Sequence, residues 1–320
     1  MRRFIFQVIL FCSVLSFICS IPLWRFEYEA RKCMSKHPYK RVNMIYNLKG
    51  ANADLIIMGN SRAEDSYNDS ILSKVLQLKC INIGWAGYPF DYQYNVMYKT
   101  YMKQNSTPKY ILLEIGPWAF FDYVNPKYTI ELLPYIDYPE FKFYHKICPE
   151  LTTADYWLLH KYAGMSDIIS EQMQSIKGVT ETNSSANIKG FKHNYFKEKR
   201  KFEEDKDIIN LFCLFLDECK AQGIDVFLIC SPIHSDEGKP FFEMKRFWQL
   251  ITKITKGKSI NILNYEDFYG NDTTYFQDPM HMNSYGRNDF SIKIGYDIDS
   301  IIKAKNYCPH NPFIFPEVTH

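Results

Sequence analysis

The chain has few of the features that mark metal-dependent or nucleic-acid-binding proteins. Its nine cysteines are scattered without a CxxC pair, so their spacing indicates neither a zinc site nor a disulfide framework. The formal net charge is only +2, which gives no electrostatic case for binding nucleic acid. No internal repeat is present, and the histidine spacings are not those of a metal site. We therefore predict no metal, no cofactor and no nucleic-acid partner.

The composition is that of a chain with a large core. Of the 320 residues, 46% are hydrophobic and 17% are aromatic, which is ample for burying a core. Tyrosine and phenylalanine are abundant, at 24 each, and most of them are expected to pack in the interior. The length suits one large domain or two small ones.

The amino-terminal segment has a basic start and then an uncharged run. Two arginines precede residues 4–24, a run of about the length that crosses a bilayer as a helix. The basic start predicts a cytoplasmic amino terminus and an extracytoplasmic remainder, on the cell-envelope or periplasmic side. A cleaved signal peptide is the alternative, but no small-x-small cleavage site follows the run. We predict residues 1–24 as a membrane anchor and residues 25–50 as a juxtamembrane linker.

Apolar runs alternate with helical patterns through residues 51–305, which predicts an α/β domain. Continuous apolar strands between helices indicate a mostly parallel sheet, and right-handed crossovers then give a three-layer α/β/α sandwich with five strands. Residues 117–206 interrupt the alternation as an insertion over the sheet rim, and residues 306–320 form a tail. The predicted strands are 55–58, 80–83, 110–115, 225–230 and 259–263. The predicted helices are 70–78, 91–104, 207–222, 240–256 and 284–303.

Two polar motifs fall where such sheets bind ligands. Ser61 follows the first strand, and Asp278-Pro-Met-His281 precedes the last helix. Ligands of parallel sheets bind at the carboxyl ends of the strands, so we expect both motifs at one rim. There Asp278 would orient His281 through Nδ1, and Nε2 would activate the Ser61 hydroxyl. Taken singly, each motif is also typical of an ordinary turn, with a capping serine or a capping aspartate beside a surface histidine.

The motifs together resemble the blocks of the SGNH (GDSL-type) hydrolase superfamily. Gly59-Asn-Ser-Arg62 is similar to the family's nucleophile block, and Asn82-Ile-Gly-Trp-Ala-Gly87 is similar to its second block. Asp278-Pro-Met-His281 is similar to the last block, which supplies the acid and the base. The resemblance covers residues 54–116 and 225–303, and it implies a flavodoxin-like SGNH fold.

The resemblance also implies a role for particular residues. Ser61 is the implied nucleophile, His281 the base and Asp278 the acid that orients it. The N–H groups of Ser61 and Gly87 are implied to form the oxyanion hole. Gly84 is the runner-up to Gly87 in the second block.

The third block departs from the family pattern. The family has an asparagine there whose side chain is a further oxyanion donor, whereas this strand ends Leu113-Glu-Ile-Gly-Pro-Trp118. The indole N–H of Trp118 can donate instead, or the ring only packs. This substitution and the single anchor are similar to a membrane-anchored branch of the superfamily, the proteins of D-alanine transfer and alginate O-acetylation. That resemblance implies an acyl donor, a glycan acceptor and an integral-membrane acyltransferase partner.

Two further residues are candidate substrate-binding residues. Arg62, beside the implied nucleophile, has the chemistry to bind an anionic substrate group, or it pairs with an acid such as Glu64 or Asp65. His234 follows the fourth strand in Ser231-Pro-Ile-His234, so it is expected at the same rim. Both are included in the predicted site.

Two functions are compatible with these motifs. The first is a membrane-anchored serine esterase or O-acyltransferase acting on an acyl group, expected to be O-acetyl, of a cell-envelope polysaccharide. The alternative is a non-catalytic SGNH-like module that binds a glycan or an acyltransferase partner, which Trp118 and the aromatic insertion motivate. The presence of all three triad residue types favours the enzyme. In that case Ser61 Oγ should lie within hydrogen-bond distance of a His281 ring nitrogen.

Overall fold

The chain divides into two compact units. One comprises Met1–Asn47 and Asn125–Asn183, and the other comprises Leu48–Val124 and Ser184–His320. The second unit contains the sheet and every predicted site residue. The structure is a computed structural model that describes residues 3–17, 44–87, 89–120, 190–193, 198–202 and 204–307.

The first unit is described at two short segments. Residues 3–17 form helix α1, and residues 44–46 form helix α2. Within the described ranges, no helix combines the length and the apolar character needed to cross a membrane. The end of the predicted anchor, most of the linker and residues 121–189 of the predicted insertion lie outside the described residues. The anchor and the domain boundaries therefore stay predictions.

The second unit is built on a parallel sheet. Its strands are β1 Leu55–Met58, β2 Cys80–Asn82, β3 Tyr110–Glu114, β4 Asp225–Cys230 and β5 Asn261–Asn264. They lie in the order β2-β1-β3-β4-β5, and every neighbouring pair is parallel. This is the flavodoxin-like order, which reverses direction between β1 and β3 and opens a crevice at the carboxyl ends of those strands. The predicted α/β fold with a five-stranded parallel sheet is confirmed.

Helices cover both faces of the sheet. They are α3 Ser61–Ser66, α4 Asp69–Leu76, α6 Lys206–Ala221, α7 Met244–Thr255 and α8 Ser284–Tyr307, with α5 running through Phe90–Tyr92, a π-helical Gln93–Tyr98 and Lys99–Gln104. On one face, Leu72 of α4 and Ile294 of α8 share a core cluster with Ile57 of β1. On the other face, Phe90 of α5 meets Phe212 of α6 edge-on, with ring centroids 5.0 Å apart.

Two elements beside the sheet rim were not predicted. Helix α3 begins directly after the β1 turn, and a two-stranded antiparallel hairpin joins β6 Phe276–Asp278 to β7 His281–Met282. The sequence of α3, Ser-Arg-Ala-Glu-Asp-Ser, has no apolar stripe, and β7 has only two residues. Neither element therefore carries the periodicity from which helices and strands are predicted. Short 3-10 turns lie at Pro117–Phe120, Lys239–Phe241 and Thr273–Tyr275.

Candidate active site

Ser61 lies at the turn where the chain passes from β1 into α3. Gly59 has a φ of +143°, and a Cβ built there would lie 2.8 Å from the Cβ of Glu114, so only glycine fits. The side chain of Asn60 then caps α3 by accepting the N–H of Arg62 at 3.0 Å. The tight turn and the cap together place Ser61 at the carboxyl end of β1.

The predicted acid and base lie on the β6–β7 hairpin. Asp278 and His281 are paired across it, which leaves Pro279 and Met280 to form the turn. Oδ1 of Asp278 accepts the backbone N–H groups of Met280 at 2.9 Å and of His281 at 3.0 Å. The same carboxylate lies 2.9 and 3.0 Å from Nδ1 of His281. The three-residue spacing therefore locks the acid onto its histidine through both backbone and side chain.

The hairpin carries His281 to Ser61. Nε2 of His281 lies 2.8 Å from Oγ of Ser61, which confirms the expected distance. Because Asp278 binds the Nδ1 proton, Nε2 is left with the lone pair that accepts the Ser61 hydroxyl. The His281 side chain is 16% exposed and that of Asp278 is 9% exposed. The imidazole is thus open to a substrate while the acid behind it is nearly enclosed.

The charge on Asp278 is stabilised by its neighbours. Burial raises the pKa of this carboxyl, whereas the hydrogen bond and the charge of His281 lower it. The N–H groups of Met280 and His281 lower it further, and the net pKa lies below the ordinary value. Asp278 is therefore ionised at neutral pH, which fixes the His281 tautomer and stabilises an imidazolium.

A second carboxylate, Asp65, lies beside these residues on α3. Burial raises the pKa of Asp65 to about 6, although the charge of His281 opposes the rise. Nε2 of Gln277 donates to Oδ2 of Asp65 at 3.3 Å, which ties the carboxyl to the strand that leads to Asp278. Sequence reasoning considered Asp65 only as a partner for Arg62. The sequence did indicate that Asp65 lies near the nucleophile, because on a helix a residue one turn after Ser61 is on the same face.

One candidate oxyanion donor is already engaged. The N–H of Gly84 donates to Oδ1 of Asn82 at 2.8 Å, so the prediction of Gly84 as an oxyanion donor is wrong. The Asn82 amide also donates to two carbonyls in and just after α3, which ties the second block to the nucleophile turn. Within the described ranges, no hydrogen bond engages the N–H of Ser61 or Gly87. These two groups stay the predicted donors.

Trp118 packs beneath the rim. A Cβ at Gly116 would lie 2.0 Å from the indole ring, so the ring rests directly on that backbone. The guanidinium carbon of Arg62 lies 4.7 Å from the ring centroid, and Phe242 meets the ring edge-on at 5.3 Å. Nε1 of Trp118 is buried and has no hydrogen-bond partner among the described residues. The structure gives Trp118 a packing role, and its oxyanion role stays a prediction.

Arg62 turns inward from the nucleophile turn. The residue is 1% exposed, and its Nε lies 3.0 Å from the Glu114 carboxylate on β3. Nη1 donates to the carbonyl of Met280 at 2.5 Å, and Nη2 donates to the carbonyls of Ser231 at 2.6 Å and Pro232 at 3.0 Å. The prediction of Arg62 as a substrate-binding residue is wrong, because the guanidinium is enclosed. It pairs with an acid, but that acid lies on β3 and not on α3.

Glu114 is the centre of a buried polar group that we call the Arg62 cluster, comprising Arg62, Ser66, Tyr67, Glu114 and Ser231. Besides Arg62, the Glu114 carboxylate accepts the Tyr67 hydroxyl and the N–H and hydroxyl of Ser231, at 3.2 and 2.8 Å. Burial and then the charge of Glu114 raise the pKa of Tyr67 well above its ordinary value, so its hydroxyl stays a donor. An acid at the end of an apolar strand was the sequence signal for this cluster.

His234 is enclosed behind the hairpin. The residue is 3% exposed, and its backbone N–H donates to the carbonyl of Pro279 at 3.1 Å. Its Nδ1 accepts the N–H of Glu237 at 3.2 Å, and the rings of Phe191 and Phe276 lie 4.8 and 5.7 Å from the imidazole. The prediction that His234 binds substrate is wrong, because the ring is packed between aromatic side chains.

The described residues offer no site for a metal ion. They contain no group of three or more His, Cys, Asp or Glu side chains arranged to hold one. Burial raises the pKa of the Cys80 and Cys219 thiols to about 12, so these sulfurs stay protonated at neutral pH. A protonated thiol is neither a metal ligand nor a nucleophile.

Comparisons with known proteins give weak similarities. No family model matches the chain, and no curated protein matches it. Among solved structures, an acetyl xylan esterase is 11% identical over 76% of this chain and 99% of its own, with a TM-score of 0.41. A GDSL-like lipase from Bacteroides thetaiotaomicron is 13% identical over 83% and 96%, with a TM-score of 0.38. A catalytic mutant of an acetylxylan esterase from Geobacillus stearothermophilus is 8% identical over 78% and 94%, with a TM-score of 0.39.

Proposed function

We propose that the chain is an SGNH-type serine esterase or acyltransferase that works through Ser61, His281 and Asp278. One observation carries this proposal. The imidazole of His281 bridges the Asp278 carboxylate at 2.9 Å and the Ser61 hydroxyl at 2.8 Å, although Ser61 and His281 are 220 residues apart in the chain. This order of acid, base and hydroxyl is what activates a serine nucleophile.

In the first half of the proposed reaction, the acyl group moves to the enzyme. Oγ of Ser61 forms a bond to the acyl carbonyl carbon while Nε2 of His281 takes the hydroxyl proton. The N–H groups of Ser61 and Gly87 hold the resulting oxyanion. The bond to the alcohol then breaks, and that alcohol leaves with the proton from His281. Asp278 remains ionised throughout and stabilises the imidazolium.

In the second half, an acceptor removes the acyl group. Water or a sugar hydroxyl gives its proton to Nε2 of His281 and attacks the acyl carbon. The bond to Oγ of Ser61 breaks, and the serine regains its proton from His281. Water as acceptor gives an esterase, and a glycan hydroxyl gives an acyltransferase.

The proposed substrate is an acyl ester, expected to be an O-acetyl group, of a cell-envelope polysaccharide. The uncharged run of residues 4–24 behind a basic start supports a place at the extracytoplasmic face of a membrane. In such a place, an integral-membrane acyltransferase partner would deliver acyl groups to Ser61. The His281 side chain is 16% exposed, so an acceptor hydroxyl, of water or of a glycan, would reach the base from the rim.

Acyl release with and without a sugar acceptor tests the proposal. The purified chain is given p-nitrophenyl acetate alone or with an unacetylated oligosaccharide, and nitrophenol, free acetate and acetylated sugar are each measured. Transfer predicts acetylated sugar at the expense of acetate, whereas hydrolysis predicts acetate alone at an unchanged rate. The Ser61→Ala variant is the control and should give none of the three products above background.

A further inference from the structure

We propose that Arg62 is a positioning residue that sets the alignment of His281 on Ser61 from inside the protein. The inference rests on the proposed function, because it concerns the same three side chains. It assigns no contact with substrate to Arg62. Arg62 instead holds together two segments of the chain, one that carries Ser61 and one that carries His281.

The first link is a direct hydrogen bond between the two segments. Arg62 is the residue after the nucleophile Ser61, and Met280 is the residue before the base His281. Nη1 of Arg62 donates to the carbonyl of Met280 at 2.5 Å. One side chain therefore ties the backbone beside the base to the backbone beside the nucleophile.

The second link fixes the guanidinium itself. Its Nε is held by Glu114 at the end of β3, and its Nη2 is held by the carbonyls of Ser231 and Pro232 after β4. The planar guanidinium presents these donors in one rigid fork, which the single ammonium of a lysine does not reproduce. These bonds fix the guanidinium to the carboxyl ends of β3 and β4. Through the guanidinium they also fix the position of Met280 relative to the sheet.

The third link is the enclosure of this arrangement. The side chains of Arg62 and Glu114 are 1% and 0% exposed, and the Trp118 ring lies over the guanidinium. Water does not compete for these hydrogen bonds, so each one holds its geometry more strongly than at the surface. A shift of His281 by about 1 Å would reduce the rate about 10²-fold.

The kinetics of serine phosphorylation in the full chain separate positioning from folding. The chain is treated with diisopropyl fluorophosphate: a bond forms from Ser61 Oγ to phosphorus, the P–F bond breaks and releases fluoride, and Nε2 of His281 takes the hydroxyl proton. The rate constant reports alignment, and the final number of adducts per chain reports the folded fraction. We expect Arg62→Lys to lower the rate constant about 10- to 100-fold with the final stoichiometry unchanged.

The matched control is Arg246→Lys. Arg246 also donates from Nη1 to a backbone carbonyl, that of Phe202 at 3.0 Å, and lies over an aromatic ring at 5.8 Å, but far from the nucleophile in the chain. We expect its rate constant to stay within about twofold of the wild type, since it touches none of the reacting segments. A milder variant, Ser231→Ala, removes one hydroxyl acceptor of Arg62. We expect its rate constant to lie between those of the two lysine variants.

The outcomes separate this inference from the proposed function. An unreactive wild-type chain would overturn both. A reactive wild type with an equally fast Arg62→Lys variant would overturn only the positioning role of Arg62. If Arg62→Lys lowers the final stoichiometry through misfolding, Ser231→Ala decides: a slower rate at full stoichiometry supports positioning, and a wild-type rate overturns it.

Discussion

Two neighbouring residues of one turn have opposite surroundings. Ser61 faces the rim, where it meets His281, whereas Arg62 faces the interior, where it enters the Arg62 cluster. At the rim, Ser61 and His281 are partly exposed, and each is held by few hydrogen bonds. The Arg62 cluster is enclosed, and its charges are fully paired by protein groups. The turn at Gly59 thus places the reactive Ser61 next to Arg62, which stabilises the turn from the interior.

The two regions differ in what a lost side chain should do. At the rim, a removed group leaves space that water can fill, so folding is little affected while the reaction is lost. In the Arg62 cluster, a removed partner leaves a buried charge without compensation, which costs about 3–5 kcal/mol of stability. We therefore expect removal of a reacting group at the rim to abolish activity with little loss of stability, and removal of a charged partner in the Arg62 cluster to lower stability.

The largest expected effect is that of Ser61→Ala on turnover. Loss of the hydroxyl removes covalent catalysis, and we expect kcat for p-nitrophenyl acetate to fall about 10⁶-fold. The melting temperature should change by no more than that of Ser70→Ala, a serine at the exposed start of α4. If the variant kept wild-type turnover, Ser61 would not be the nucleophile.

The next effect is that of Asp278→Asn. An amide in place of the carboxylate can donate to Nδ1 of His281, which favours the wrong tautomer, and we expect kcat to fall about 10⁴-fold. Steady-state kinetics from pH 5 to 9 should show that alkaline pH does not restore the rate. Recovery of most activity at high pH would contradict the orienting role of Asp278.

In the Arg62 cluster, Glu114→Ala should act on stability. The variant leaves the Arg62 guanidinium buried without its carboxylate, and we expect urea unfolding to show a loss of about 3–5 kcal/mol. Glu218→Ala is the matched control, because its pair with Lys99 is 23% and 37% exposed and should contribute about 1 kcal/mol or less. Equal losses in the two variants would remove the distinction between buried and partly exposed pairs.

The smallest expected effect is that of Asp65→Asn, and it depends on pH. The folded chain raises the pKa of Asp65 from 3.8 to about 6, so it binds more protons than the unfolded chain between those values. Stability should therefore fall as pH rises from about 4 to 6, and the Asp65→Asn variant should regain about 3 kcal/mol at pH 8 but nothing at pH 3. Unfolding curves at the two pH values measure this. An equal gain at both would contradict the raised pKa.

Much of the fold could be predicted because the strands are short and uniformly apolar. The predicted bounds of β1 and β4 agree with those observed, and β2 and β3 end one residue earlier. The end of α5 at Gln104 also agrees, but its π-helical turn is a distortion that no periodicity indicates. Helix α3 was not predicted because it has no apolar stripe. Its Asn60 cap and the packing of Arg62 stabilise it instead.

The rim could be predicted better than its support. Ser61 follows a strand, and the spacing of Asp278 and His281 is local, so fold topology sufficed to bring them together. The inward turn of Arg62 depends on partners in three segments that are distant in sequence, and its adjacency to the nucleophile suggested a substrate contact instead. Gly84 likewise needed the structure, because only there is its N–H seen to be taken by Asn82.

The most direct measurement is the site and rate of fluorophosphonate labelling in the wild type and in His281→Gln. Intact-mass and peptide mapping should show one adduct per wild-type chain, located on Ser61. In His281→Gln the same adduct should form at least about 10³-fold more slowly, because nothing accepts the hydroxyl proton. Labelling at another residue, or equal rates in the two chains, would contradict the activation of Ser61 by His281.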